Sequence, residues 1–229
     1  MVKINVSGYK HISFWRESNT GIIVLKTDNE GSASVDIIQE LISALGLALG
    51  DERVRSLAIT GENNNFLTGL TWIEGKHVYS EVIDLSHTLA NMLAAFPYPV
   101  FSLVNGRCLD YGYEIALLSD YIIARPDVQI GFNDGYHFMF AGSLTWNKFR
   151  FLGTGQARER VNVDKIIESE EEFLSESQKF IERNSSFDFM SVRKLVLGDL
   201  QKCIAIESEQ LLRFYYGAES RSRLNEKEG

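Results

Sequence analysis

Residues 98–132 read YPVFSLVNGRCLDYGYEIALLSDYIIARPDVQIGF, and the reading of this stretch decides the rest of the chain. The run 100–104 is almost wholly apolar, as a strand buried on both faces is, and it stops at Asn105-Gly106, a tight-turn pair. A short loop leads to Asp110, an apolar helix is expected over 111–118, and two further strands are expected near 121–124 and 129–132. Inside the helix stands Glu114, flanked by Tyr113, Ile115, Ala116, Leu117 and Leu118. Carrying an unpaired carboxylate into such a layer costs several kcal/mol or forces its pKa upward. Glu114 is therefore the first candidate for chemistry, the plain alternative being a buried ion pair with Arg107 or Arg125.

Toward the N-terminus, VRSLAITG at 54–61 reads as a second buried strand, preceded by an amphipathic helix over 35–49 with Ile37, Ile38, Leu41, Ile42, Leu45 and Leu49 at helical spacing. HISFWR and GIIVLK, joined by a turn over 17–21, read as a hairpin near a sheet edge, and the strand, helix, strand order makes a β-α-β unit. The loop 27–34 is polar. After the second strand, ENNNFLTGLTWIEG places Gly69 where the backbone comes close to a neighbour. A helix over 78–96 carries Val82, Ile83, Leu85, Leu89, Met92 and Leu93 on its apolar side and ends at Pro97 and Pro99. Beyond 132 come the turn-rich NDGYHFMFAG, a short helix expected over 144–152, and a charged helical tail. The tail has apolar stripes at Phe173, Leu174, Phe180 and Ile181, at Met190, Val192, Leu195, Val196 and Leu200, and at Cys203, Ile204, Ile206, Leu211 and Leu212. The acidic run 168–172 reads as a solvated face.

A chain of 229 residues with 45% apolar content makes one main domain, here 1–155, and a helical C-terminal region, 156–229. A net charge of -8 without clustered Lys or Arg excludes a broad nucleic-acid surface. Cys108 and Cys203 fall in no zinc or redox spacing, and no signal core or membrane-length apolar run occurs, so a cytoplasmic protein with no membrane contact is expected.

Strand, FLTGL loop, helix, PVFSLVNG strand, YGYEIALLSD helix and the IIARPDVQIGF strand pair, in this order and spacing, resemble the crotonase (enoyl-CoA hydratase/isomerase) superfamily over roughly residues 22–151. The resemblance implies an α/β fold built as a spiral of β-β-α units, with a helical C-terminal trimerisation region and a homotrimer or dimer of trimers as the assembly. It also implies an acyl-CoA or carrier-linked acyl thioester as substrate, and coenzyme A only as part of that substrate, with no separate cofactor or metal. Two backbone N–H groups, those of Leu70 and Tyr111, would hold the thioester oxygen as it becomes an enolate, with Thr68, Gly69 and Gly112 as the flanking substrate-binding positions. A helix dipole would assist at Tyr111. The acid/base pair of a hydratase would fall on Glu114 and Asp134.

The chain departs from the family pattern where consecutive glycines usually precede Gly112: here stand Asp110, placed to cap the helix with its carboxylate, and Tyr111, whose ring would narrow the pocket. Asp134 is one methylene shorter than the usual Glu, the following loop is FAGSLTW, and a helical hairpin is missing after FLGTGQARERVN. The FLTGLTWIEG loop and the ending ESEQLLRFYYGAESRSRL are also similar to the crotonase-like enzymes of polyketide β-branching, which dehydrate or decarboxylate carrier-bound acyl groups. The decarboxylases of that group use Lys and His and lack a carboxylate at the position of Glu114. Lys76 and His77 match that Lys loosely, and Tyr215 and Tyr216 stand near the His. Three readings stay open: an enoyl-CoA hydratase or isomerase, a carrier-linked dehydratase or decarboxylase, and a crotonase-fold binding subunit without chemistry. For Asp134, Asn-Asp-Gly is also a good turn, and the aromatics Trp72, Tyr136, Phe138, Phe140 and Trp146, like His137, are pocket-lining or core positions.

Overall fold

The computed structural model describes residues 4–5, 8–71, 79–133, 155–157, 163–185, 201–202, 204–205 and 216. Long strands and very short ones alternate with helices along the chain. The long strands β2 (Ile12–Glu17), β3 (Thr20–Leu25), β5 (Ser56–Gly61), β8 (Val100–Val104) and β10 (Tyr121–Ala124) form a seven-stranded sheet with the short β1 (Ile4–Asn5) and β13 (Lys165–Ile166) at its edges. The order is β1-β2-β3-β5-β8-β10-β13, antiparallel among the first three and parallel from β3 onward. Ser18 and Asn19 alone make the β2–β3 turn, tighter than the expected 17–21, with Glu17 opposite Thr20 and Ser18 at φ 52°.

A second sheet runs β12 (Gly155–Gln156), β11 (Gln129–Gly131), β9 (Arg107–Leu109), β6 (Asn65–Leu67). A third pairs β4 (Ser32–Ser34) with β7 (Gly69–Thr71) in parallel. Three turns of the chain therefore repeat one plan. Each has a long strand in the first sheet, a short strand after a sharp corner, and then a helix: α1 (Asp36–Gly50), α2 (Tyr79–Ala95) or α3 (Tyr111–Leu117). This is the β-β-α spiral expected above. The stretches at 27–34, 62–71 and 107–110, expected as loops, each contain such a short strand, whose partners are remote in sequence.

β5 and β8 are buried along their whole length, which is why they read as near-continuous apolar runs. One face of the large sheet, with Ile23, Leu25, Leu57, Ile59, Val100 and Ile122, joins one core with Ile37, Ile38, Leu41 and Leu45 of α1 and Val82, Leu89 and Leu93 of α2. Leu49, expected on the buried side of α1, is 47% exposed, and Ala48, 2% exposed, takes the inward place in the last turn. The other face, with Ala58, Phe101, Leu103 and Ile123, packs against α4 (Phe173–Asn184) through Phe173 and Ile181. Here the expected stripe needs correcting: Leu174 is 66% exposed, and Ser177, not Leu174, turns inward with Phe173 and Ile181. Between this face and α4 lies a cavity of about 450 Å³ lined by Ile22, Ala58, Leu103, Phe173 and Ile181, none of them a candidate site residue. The helix expected over 144–152 and the apolar stripes beyond 186, apart from the buried Ile204, lie outside the described residues.

The corners fit together with almost no clearance. At the β8–β9 corner the Asn105 side chain donates to the Gly61 carbonyl at 2.8 Å. A Cβ on Gly106 would stand 1.5 Å from the Asn64 carbonyl oxygen, so only glycine lets one turn of the spiral sit on the last.

Candidate active site

The site is assembled where α3 packs against β6 and β7. Gly112, the second residue of α3, makes that approach possible, since a Cβ there would meet the Leu67 carbonyl oxygen at 2.1 Å. This places Tyr111, Gly112 and Glu114 on one element and Thr68, Gly69 and Leu70 on the adjoining segment.

The Leu70 side is braced from below. Thr68 donates its backbone N–H to the Gly31 carbonyl at 2.8 Å and its hydroxyl to the Glu30 carbonyl at 3.0 Å, while β7 pairs with β4 with Leu70 opposite Ala33. The loop under it is closed by Asp28, whose carboxylate accepts from the Glu30 and Ser32 N–H groups at 3.0 and 2.8 Å. Arg107 joins the same brace, donating to the Glu30 carbonyl at 2.6 Å and to the Asn65 side chain at 3.3 Å. Gly69 takes φ +155°, a backbone conformation side chains rarely adopt.

On the other side, α3 starts where the Glu114 N–H donates to the Asp110 carbonyl at 3.0 Å, the first i to i+4 bond of the helix. The expected cap is not made: Asp110 forms no side-chain cap hydrogen bond. Its two carboxylate oxygens instead accept from Asn133, Oδ1 from the main-chain N–H and Oδ2 from the side-chain Nδ2, each at 2.8 Å. The backbone of Asp110 takes φ 52° and ψ -117°, with its N–H donating to the Gly131 carbonyl of β11 and its carbonyl accepting from the Glu114 N–H of α3. The anion expected at the helix start is therefore already spoken for by Asn133.

The Tyr111 ring is 1% exposed and its hydroxyl meets the Ser86 hydroxyl of α2 at 3.1 Å. Its phenol is held well above the usual range, first by burial and also by the neighbouring Glu114 carboxylate, against the Ser86 hydrogen bond, which lowers it. The ring is thus committed to the interior beside α2. Glu114 itself is 0% exposed, in the first turn of α3. Arg107 is spent on Glu30 and Asn65, and Arg125 pairs with Glu170 at 3.0 Å and Asp127 at 3.4 Å, so the charge balance considered from sequence is not what these arginines provide. With seven residues, α3 is too short for a full macrodipole, and any help to an anion there comes from individual amides.

Asp134, His137 and the aromatics 136–146 lie outside the described residues, as do Trp72, Lys76, His77 and Tyr215. Tyr216 donates its hydroxyl to Ser80 at the start of α2, at 3.2 Å. Asn133 was not singled out from sequence, because it stands in an Asn-Asp-Gly run that reads as a turn. Among the described residues no group of three or more His, Cys, Asp and Glu side chains is placed to hold a metal ion, and no helix is long and apolar enough to cross a membrane.

A model of the enoyl-CoA hydratase/isomerase family matches residues 17–172, well over half of the chain. The chain belongs to the enoyl-CoA hydratase/isomerase family. It is 27% identical over 201 residues to a probable mitochondrial enoyl-CoA hydratase of Dictyostelium discoideum, a match spanning 77% of this chain and 70% of that one. The same spiral is found in an enoyl-CoA hydratase/isomerase family protein from Pseudomonas syringae (TM-score 0.74, 18% identity, 88% of this chain and 98% of that one). An enoyl-CoA hydratase from Bacillus halodurans is similar to the same degree (TM-score 0.75, 14% identity, 94% and 99%). At these identities the structures establish the crotonase fold, and the family model establishes the family.

Proposed function

We propose that this family member binds an acyl-CoA thioester and stabilises its enolate, acting as an enoyl-CoA hydratase or isomerase. The observation that carries the reading is Glu114, a fully buried carboxylate in the first turn of α3, one turn from the Tyr111 amide and on the element packed against the Leu70 strand. In hydration, Glu114 takes a proton from water as the water oxygen bonds to the β carbon. The alkene π pair becomes the π bond between the α carbon and the carbonyl carbon, and the carbonyl π pair moves onto the thioester oxygen, where the Leu70 and Tyr111 amides receive the charge. The α carbon then takes a proton, the role left for Asp134, and the sum is addition of H and OH with no redox change. Fixed donors of this kind are worth about 3 kcal/mol each because they need no reorganisation as the charge forms.

The test is the loss of conjugated absorbance of a short enoyl-CoA. Glu114→Gln, with its fold checked by circular dichroism, is expected to lower the rate by about a hundredfold or more. An unchanged rate removes Glu114 from the mechanism.

A carrier-linked acyl thioester is the second reading. In its favour, Tyr216 of the ending that resembles the polyketide β-branching group hydrogen-bonds to Ser80, the second residue of the helix that follows the FLTGLTWIEG loop. Turnover of a carrier-bound acyl group with none of the CoA ester selects it over the first. A homotrimer or dimer of trimers is part of the same proposal, as is the absence of any cofactor beyond the substrate's own coenzyme A.

A further inference from the structure

The strand β9 runs parallel to β11, with Cys108 opposite Ile130 and Leu109 opposite Gly131, and the Asp110 N–H carries the pairing one step further to the Gly131 carbonyl at 3.0 Å. At Asp110 the chain leaves the ladder and its carbonyl begins α3. The turn between the two is made by one residue, at φ 52° and ψ -117°. The ψ angle of Asp110 is the rotation that aims the peptide plane joining it to Tyr111, and hence the Tyr111 N–H. A glycine could make this turn but would leave that rotation free. Asp110 makes it with both carboxylate oxygens gripped by Asn133, one by the main-chain N–H and one by the side-chain amide, each at 2.8 Å. Two bonds to two oxygens of one planar group hold the carboxylate in a single orientation, where one bond would leave it a hinge.

We infer that Asp110 and Asn133 act together as a positioning clamp that sets the direction of the Tyr111 amide. The inference rests on the reading of that amide as an oxyanion donor, and it deepens it. Where a glycine would turn freely, the clamp fixes the turn with a residue that follows β11. It has a second consequence. Asn133 immediately precedes Asp134, so the clamp ties the chain that presents the first acid, Glu114, to the chain that continues into the second.

The experiment uses the full chain with Asn133→Ala, Asp110→Ala, Asp110→Asn and the Asn133→Ala/Asp110→Ala pair. Asn133→Ala keeps aspartate at the positive-φ position and removes only the side-chain half of the grip, and so guards against misfolding of the Asp110→Ala protein. For a misaimed donor, kcat on a short enoyl-CoA is expected to fall about tenfold or more with KM changed less than about twofold, and the double variant should be no slower than the slower single one. Asp110→Asn should recover most of the rate, because the new amide oxygen can still accept from the Asn133 main-chain N–H while its NH2 donates to the Asn133 side-chain oxygen once that amide turns over. Hydrogen exchange supplies a readout independent of turnover: amides in the peptide 109–114 should exchange about tenfold faster in Asn133→Ala while those of α2 stay as they were. Parent-like kcat in Asn133→Ala, a loss confined to KM, or Asp110→Asn as poor as Asp110→Ala would overturn the clamp. If the parent turns over no thioester, the functional reading fails separately. Exchange then decides alone: unchanged protection at 109–114 rejects the clamp, and faster exchange upholds it as the element that orders the 110–111 peptide.

Discussion

Asp110 holds a backbone conformation that costs a non-glycine residue about 1–3 kcal/mol, and a pair of charge-assisted hydrogen bonds from Asn133 is the visible compensation. Gly112, two residues on, answers the opposite demand, because it must keep its Cβ position empty. An added methyl would stand 2.1 Å from the Leu67 carbonyl oxygen and 2.8 Å from the Leu67 Cβ, and backbone cannot swing aside as a side chain can. Gly112→Ala is therefore expected to push α3 off β6, destabilising the protein by about 1–3 kcal/mol in a urea titration and lowering turnover with it. A midpoint equal to the parent's would show that α3 yields at no cost. Glu114 was legible as a candidate from its neighbours alone, since a carboxylate between Tyr113 and Ile115 in an apolar helix has few innocent explanations. Asp110 was legible as a departure but not in its role. Its partner is 23 residues away, and a capping residue and a clamped one have the same spelling.

At the scale of elements, the long helices and long strands followed from periodicity, and the short strands did not. β4, β6, β7 and β9 are each three residues long, so their sequences hold at most one and a half periods of alternation, and their pairings reach across whole turns of the spiral. The helix α2 carries a titration that belongs to it as an element. His87, 8% exposed, faces the interior beside Ser86, and burial lowers its pKa below the usual 6.5 against the opposing pull of Asp84. The charged imidazole is thus the form the fold disfavours. The unfolded chain binds the proton first, so the stability His87 contributes is complete above about pH 6.5 and is lost as pH falls through its lower folded-state value. Unfolding free energies measured from pH 7 down to pH 5 should decline in the parent and decline less in His87→Gln. Equal slopes would show that other groups carry the acid sensitivity.

For the whole molecule, the spiral explains why the site is built from separated stretches. Each β-β-α turn stacks on the one before, so the segment after β6 and the start of α3 become neighbours although some forty residues of chain lie between Leu70 and Tyr111. The proposed trimer is a prediction at this scale. Light scattering on the purified chain should give about three times 25.9 kDa, or six times if two trimers pair. A mass of 25.9 kDa would mean that the C-terminal apolar stripes serve the single chain.

Taken by itself, the amino-acid sequence determined the helices α1 and α2, the buried strands β5 and β8, the family likeness and Glu114 as the residue to explain. These depend on local periodicity, on turn residues and on the cost of burying a charge, all of which act within a few positions of the chain. The pairing of Asp110 with Asn133, the turning of the Tyr111 ring toward Ser86 and the seating of Gly112 on Leu67 were decided only by the tertiary structure. Each is a contact between segments that meet because the spiral closes, and residues distant in sequence leave no periodic trace of the partner they will find.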